Sequence, residues 1–140
     1  MAGDYWEDAV YSMPPLAPLE RIDATVVFDW IEANFSFDGG KIDWRLVSKG
    51  HTHWRIDDER VMAEKVIREI RERVSVDSAV EHVGDGLSPY GVRYSVDDAV
   101  SITNALLEIP EHHYFLAENR AWIVVVSTEG DLDVLDRFNS

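Results

Sequence analysis

The chain has 140 residues, no cysteine, 46% hydrophobic residues and a formal net charge of −14. That length suits one domain able to bury about two thirds of its unfolded surface. The missing cysteine excludes disulfides, thiolate metal sites and cysteine nucleophiles, and the charge disfavours nucleic acid binding, which relies on Lys and Arg neutralising phosphates.

The opening MAGDYWEDAVYSMPPLAPLE carries acid where a secretory signal needs positive charge. No apolar stretch approaches the 18 or so residues that span a bilayer, so a cytoplasmic protein without membrane contact is expected. Residues 1–18 read as an aromatic, acidic leader ending in the proline-rich MPPLAP, either docked or partly mobile, ahead of one domain over 19–140. From Leu19, the apolar residues Ile22, Val26, Val27, Trp30 and Ile31 keep helical spacing and predict a helix over about 19–34, ended by Asp38-Gly39-Gly40. Residues 42–56, IDWRLVSKGHTHWRI, alternate and predict two short strands joined at Lys49-Gly50.

Asp57, Asp58 and Glu59 then load a helix start, where negative charge complements the macrodipole. Met62, Ala63, Val66, Ile67, Ile70 and Val74 form its apolar stripe, and Glu64 with Arg68 and Glu69 with Arg73 are spaced as ion pairs on a solvated face. SAVEHV, 78–83, reads as a strand and GDGLSPYG, 84–91, as a loop. Ser95 is placed to cap a helix that stops before Pro110. Strands follow at 112–117, 121–127 and 131–136. AWIVVVS is apolar on both alternating faces, as a central covered strand should be, and DLDVL sends Leu132 and Val134 one way and Asp131 and Asp133 the other. The expected fold is α+β, with three helices packed on a mostly antiparallel sheet of four to six strands.

Acid is concentrated on two flanks. Residues 1–43 hold nine Asp or Glu against two Lys or Arg, residues 44–73 six against eight, and residues 74–140 twelve against three. Such a field attracts cationic partners, although acidity also serves solubility alone.

Asp131 and Asp133, two apart on a strand, share a face, which suits a divalent cation, an acid/base pair, partner contact or plain solvation. An EF-type calcium loop is excluded because Leu135 stands where an oxygen ligand belongs. His51 and His53 would share a strand face and have ligand-like spacing, but no third ligand follows at a recognisable distance; of His112 and His113, at most one could join them. Gly84-Asp85-Gly86 lacks the further glycine or the Gly-Lys-Ser/Thr of phosphate loops. No Gly-x-Ser-x-Gly and no His-Glu-x-x-His occurs, so no catalytic residue and no cofactor is assigned. Trp6, Tyr90 and the carboxylates Asp85, Glu129, Asp131 and Asp133 have the composition of a hot spot for a basic protein, in which rings supply buried area and acids steer approach.

The small, acidic, cysteine-free chain, with its closing pattern His113-Tyr114-Phe115-x8-Val124-Val125-x-Ser127-x-Glu129-Gly130-Asp131-x-Asp133, resembles the C-terminal part of small bacterial immunity proteins, which neutralise toxins made by the same cell. The resemblance implies an inhibitor that covers the cationic site of a toxin such as a nuclease, although the toxin need not be one, and it carries over no contact residue. The alternative expectation is a small metal-dependent enzyme or metal-binding domain using His51, His53, Asp131 and Asp133.

Overall fold

The computed structural model describes residues 5–47, 49–74 and 78–137. Residues 1–4 of the expected leader lie outside them. Seven strands form one antiparallel sheet in the order β1 (Glu20–Ile22), β6 (Gly91–Tyr94), β5 (Val80–Gly84), β7 (His113–Ala117), β8 (Trp122–Val126), β9 (Asp131–Asp136), β4 (His51–Arg55), while β2 (Phe37–Asp38) and β3 (Lys41–Ile42) make a separate small hairpin. Three α-helices, α1 (Ala24–Asn34), α2 (Glu59–Arg73) and α3 (Ala99–Leu107), and a π-helical turn at Glu7–Tyr11 complete the α+β fold. No helix among the described residues is long and apolar enough to cross a membrane.

The sheet separates two apolar clusters. On one face Met62, Val66 and Ile70 of α2 and Ile102 and Leu106 of α3 pack on Val80, Val92, Phe115, Val124, Leu132 and Val134, with Tyr11 and Leu16 of the leader buried among them. On the other face Val27 and Ile31 of α1 and Ile42 of β3 meet Val83, Tyr114, Leu116, Ile123 and Val125. The apolar run of β8 supplies side chains to both clusters, which is why it shows no polar alternation. Burying a Leu, Ile or Val side chain contributes about 1.5–3 kcal/mol, so these contacts dominate the stabilisation.

Several boundaries differ from expectation. The sheet has seven strands rather than four to six, because β1 and β6 are too short to carry a periodic signal and are held by pairing Glu20 with Arg93 and Ile22 with Gly91. The first helix begins at Ala24 rather than near residue 19, since the Asp23 carboxylate accepts the amide of Thr25 at 2.9 Å and caps it there. Residues 42–56 do not pair with each other: β3 pairs with β2, Trp44–Leu46 form a 3-10 turn, and β4 crosses to β9. Residues 96–98 make a 3-10 turn, so the helix expected from Ser95 starts at Ala99. The helix α2 starts where its acidic residues placed it, with Asp58 accepting the amides of Arg60 and Val61. Its Glu69, read as solvent-facing, is buried between Lys65 at 2.7 Å and Arg73 at 2.8 Å.

Candidate functional site

The pairing of β4 with β9 sets the geometry of the site. With His53 opposite Asp133 and Arg55 opposite Asp131, the side chains of His51, His53, Asp131 and Asp133 all project from the sheet face that carries α1. They meet diagonally. His51 Nε2 lies 2.6 Å from Asp133 Oδ1, and His53 Nε2 lies 3.0 Å from Asp131 Oδ1. A carboxylate can only accept, so each imidazole donates from Nε2. These four residues line one cavity of about 300 Å³, with Tyr114 and Val125 from the sheet, Lys41, Ile42 and Trp44 from the hairpin and the turn after it, and His112 and Ser127 at the strand ends.

The environments of the two pairs differ. Asp133 is buried, at 6% exposure, and desolvation raises its pKa against the opposing hydrogen bond from His51. The ring of His51 lies flat against Trp44, 4.4 Å between centroids and 9° between planes. Asp131 is half-buried, with the Arg55 guanidinium 3.8 Å away as an ion-pair partner, and its backbone amide donates to the Ser127 hydroxyl. Tyr114, whose phenol burial pushes up to about 12, enters as a neutral ring. Among the described residues, no three His, Asp or Glu groups are placed to hold one metal ion.

The other expected contact residues distribute as follows. Glu129 stands in the β8–β9 turn and pairs with Lys41 at 2.7 Å, a hydrogen bond that holds its carboxyl below the usual range. Gly130 beside it takes a φ of 100°, a conformation that favours glycine, and its carbonyl accepts from the Ile56 amide at 2.8 Å. Asp85 is exposed in the β5–β6 loop. His112 links that loop to the β8–β9 turn, accepting from Thr128 N on Nδ1 at 3.2 Å and from Asp85 N on its carbonyl at 3.0 Å. Asp85, Glu129 and Asp131 therefore share one end of the sheet. Tyr90 and Trp6 sit apart from them toward the β1 edge, where Arg21 covers the Tyr90 ring at 4.2 Å and Trp6 packs half-buried on the core.

No family model, no curated protein and no solved structure matches the chain. The remaining functional reading rests on the molecule itself.

Among the buried polar groups that sequence reasoning missed are Glu111 and Glu81. The amides of Leu87 and Ser88 do bind an oxyanion, as loops of that glycine-rich kind can, but the anion is the chain's own: the buried Glu111 carboxylate accepts from both, at 2.6 and 3.1 Å, and from the Ser88 hydroxyl. Gly84 has no side chain because a Cβ there would overlap that carboxylate. Glu81, read only as part of a strand, is 3% exposed and spans two guanidinium groups, Arg93 at 2.7 Å and Arg120 at 2.6 Å. Trp44, whose ring forms a wall of the cavity, carried no sequence signal beyond being aromatic.

Proposed function

We propose that the chain is an acidic protein-binding protein of the inhibitor or immunity type, covering the cationic site of a partner such as a nuclease toxin. The observation that supports this best is the layer made by α1 and the β2–β3 hairpin. No Lys or Arg occurs between Arg21 and Lys41. Asp23, Asp29, Glu32 and Asp38 are exposed there, and among the described residues no ion pair reaches Asp29 or Glu32. Val26, at 62% exposure, and Phe37, at 37%, stand in the same layer. Arg120 and Arg137 lie over the Trp30 ring of α1 and Arg45 pairs with Asp38 and Asp43, and elsewhere basic side chains are taken up by the chain's own acids, as with Arg73 on Glu69 and Asp136 and Arg93 on Glu20 and Glu81.

An anionic layer with apolar side chains suits a site built to hold phosphate, because carboxylates occupy the places of phosphate groups and long-range attraction speeds encounter. The test is association with the purified product of the adjacent reading frame. Binding should weaken steeply between low and high salt, and the double variant Asp29→Lys/Glu32→Lys should slow association about tenfold with unchanged thermal melting. Absence of binding at low salt, or an association rate indifferent to the reversal, would count against the reading.

A second reading, a small enzyme or metal-binding domain, has one observation in its favour, the convergence of His51, His53, Asp131 and Asp133 on one cavity. Both Nε2 atoms already face carboxylates, which leaves only the Nδ1 atoms for an ion. Zinc and manganese content of the purified protein tests it.

A further inference from the structure

We propose that the cavity between Trp44 and the two His–Asp pairs is a socket for one arginine guanidinium of the cationic partner. This inference rests on the reading above and names the anchor group of that partner. The cavity opens on the same side of the sheet as α1 and the hairpin, since Lys41, Ile42 and Trp44 form one of its walls.

The strongest indication is Asp133. It is 6% exposed, its Oδ1 is taken by His51, and among the described residues no donor reaches its Oδ2, although Asp133 lines the cavity. That oxygen is reached by water only from the cavity side, and an entering N–H donor can take the place of that water. Asp131, two residues along the same strand face, stands about 7 Å away along the chain, and among the described residues its Oδ2 has only Ser127 Oγ at 3.5 Å. Asp131 and Asp133 bring two carboxylates to the wall of the cavity. Of the nearby cations, Lys41 is offset by Glu129 at 2.7 Å, and Arg55, 3.8 Å from Asp131, is offset by Asp57 at 3.0 Å.

The shape selects among cations. A guanidinium carries five N–H donors in a planar fork and stacks on aromatic faces, whereas an ammonium is a compact, strongly hydrated point charge. The flat Trp44–His51 stack offers a planar wall for such a group, and Ile42, Val125 and the Tyr114 ring offer apolar surface for the methylene stem. A volume of about 300 Å³ is at the small end of ligand cavities and suits a single side chain. A divalent cation fits less well, because no three ligand groups among the described residues converge.

The experiment is a titration of the intact protein with N-acetyl-L-arginine amide, followed by nuclear magnetic resonance at the Trp44 indole and the His51 and His53 rings. Saturable shifts are expected at those three residues, absent with the neutral isostere N-acetyl-L-citrulline amide, and weakened about tenfold in Asp133→Asn. If Asp133→Asn fails to fold, Trp44→Leu, changed at a half-exposed ring, should weaken binding severalfold. No saturation by about 50 mM, equal response to citrulline, shifts produced by magnesium or manganese chloride alone, or wild-type binding in both variants would overturn the proposal. The two readings fail separately. Partner association without arginine binding removes the socket and leaves the acidic interface standing. Arginine binding by a chain that associates with no partner keeps the guanidinium site and removes the inhibitor role.

Discussion

His82 donates from Nε2 to Nδ1 of His113 at 2.9 Å, diagonally across the β5–β7 pair, and His113 donates in turn from Nε2 to the carbonyl of Ile109 at 2.7 Å. The carbonyl can only accept, so the direction of the whole relay is determined and the Nδ1 of His82 ends it as a buried lone pair without a partner among the described residues. Both rings sit on the face of the sheet that carries α2 and α3, with Glu111 acting on His113.

Burial holds both histidines below their ordinary pKa, strongly for His82. In the unfolded chain the two imidazoles therefore take up protons first, near pH 6.5, while the native rings stay neutral. Stability is then fully present above that pH and falls as pH drops toward the folded values, by about 1.4 kcal/mol per pH unit for each ring that remains neutral. Urea midpoints should be level from pH 8 to about 7 and decline below, and His82→Gln should reduce the slope. A wild-type midpoint that does not move down to pH 5.5 would contradict neutral native rings.

Removing Glu81 leaves Arg93 and Arg120 without their shared carboxylate between β5, β6 and β7. Breaking a buried pair costs about 3–5 kcal/mol, and because both guanidinium groups keep some solvent access the lower end applies to Glu81→Ala. Chemical denaturation measures it. A loss under about 1 kcal/mol would mean that water replaces the carboxylate freely.

The loop 85–90 is tied down through Glu111, so Glu111→Ala should free the amides of Leu87 and Ser88 while the sheet stays protected. The expected destabilisation is about 1–3 kcal/mol, the cost of leaving buried donors without acceptors. Hydrogen exchange resolved at those two amides decides it, and unchanged protection there would mean that the loop is held by other contacts.

The two cross-strand pairs should couple unequally. His51 with Asp133 is largely shielded from solvent, so a double-mutant cycle should give about 1.5–3 kcal/mol. His53 with Asp131 is more exposed and should give no more than about 1 kcal/mol. Equal couplings would show that burial does not distinguish them.

The residues differ in how openly they announced their places. Alternation alone put Leu132 and Val134 on one face of β9 and Asp131 and Asp133 on the other, and the acidic start and apolar stripe of α2 located that helix. The unbroken apolar run of β8 marked a strand covered on both sides. All of these are local signals, written within one element by the face it must bury. The short strands β1 and β6 carried no such signal, having three and four residues. Burial of Glu81, His82 and Glu111 was equally illegible, since a polar residue in a strand is normally read as facing water.

Local pattern therefore determined which way each side chain of β9 points, and with it the shared face of Asp131 and Asp133. It did not determine what they face. His51 and His53 lie 82 and 78 residues away from their partners, and they arrive because β4 closes the sheet edge beside β9 instead of folding back on residues 42–47. That choice belongs to the whole chain: α1 and the hairpin cover one face of the sheet, α2 and α3 the other, and only the register that buries both faces at once brings the imidazoles to the carboxylates.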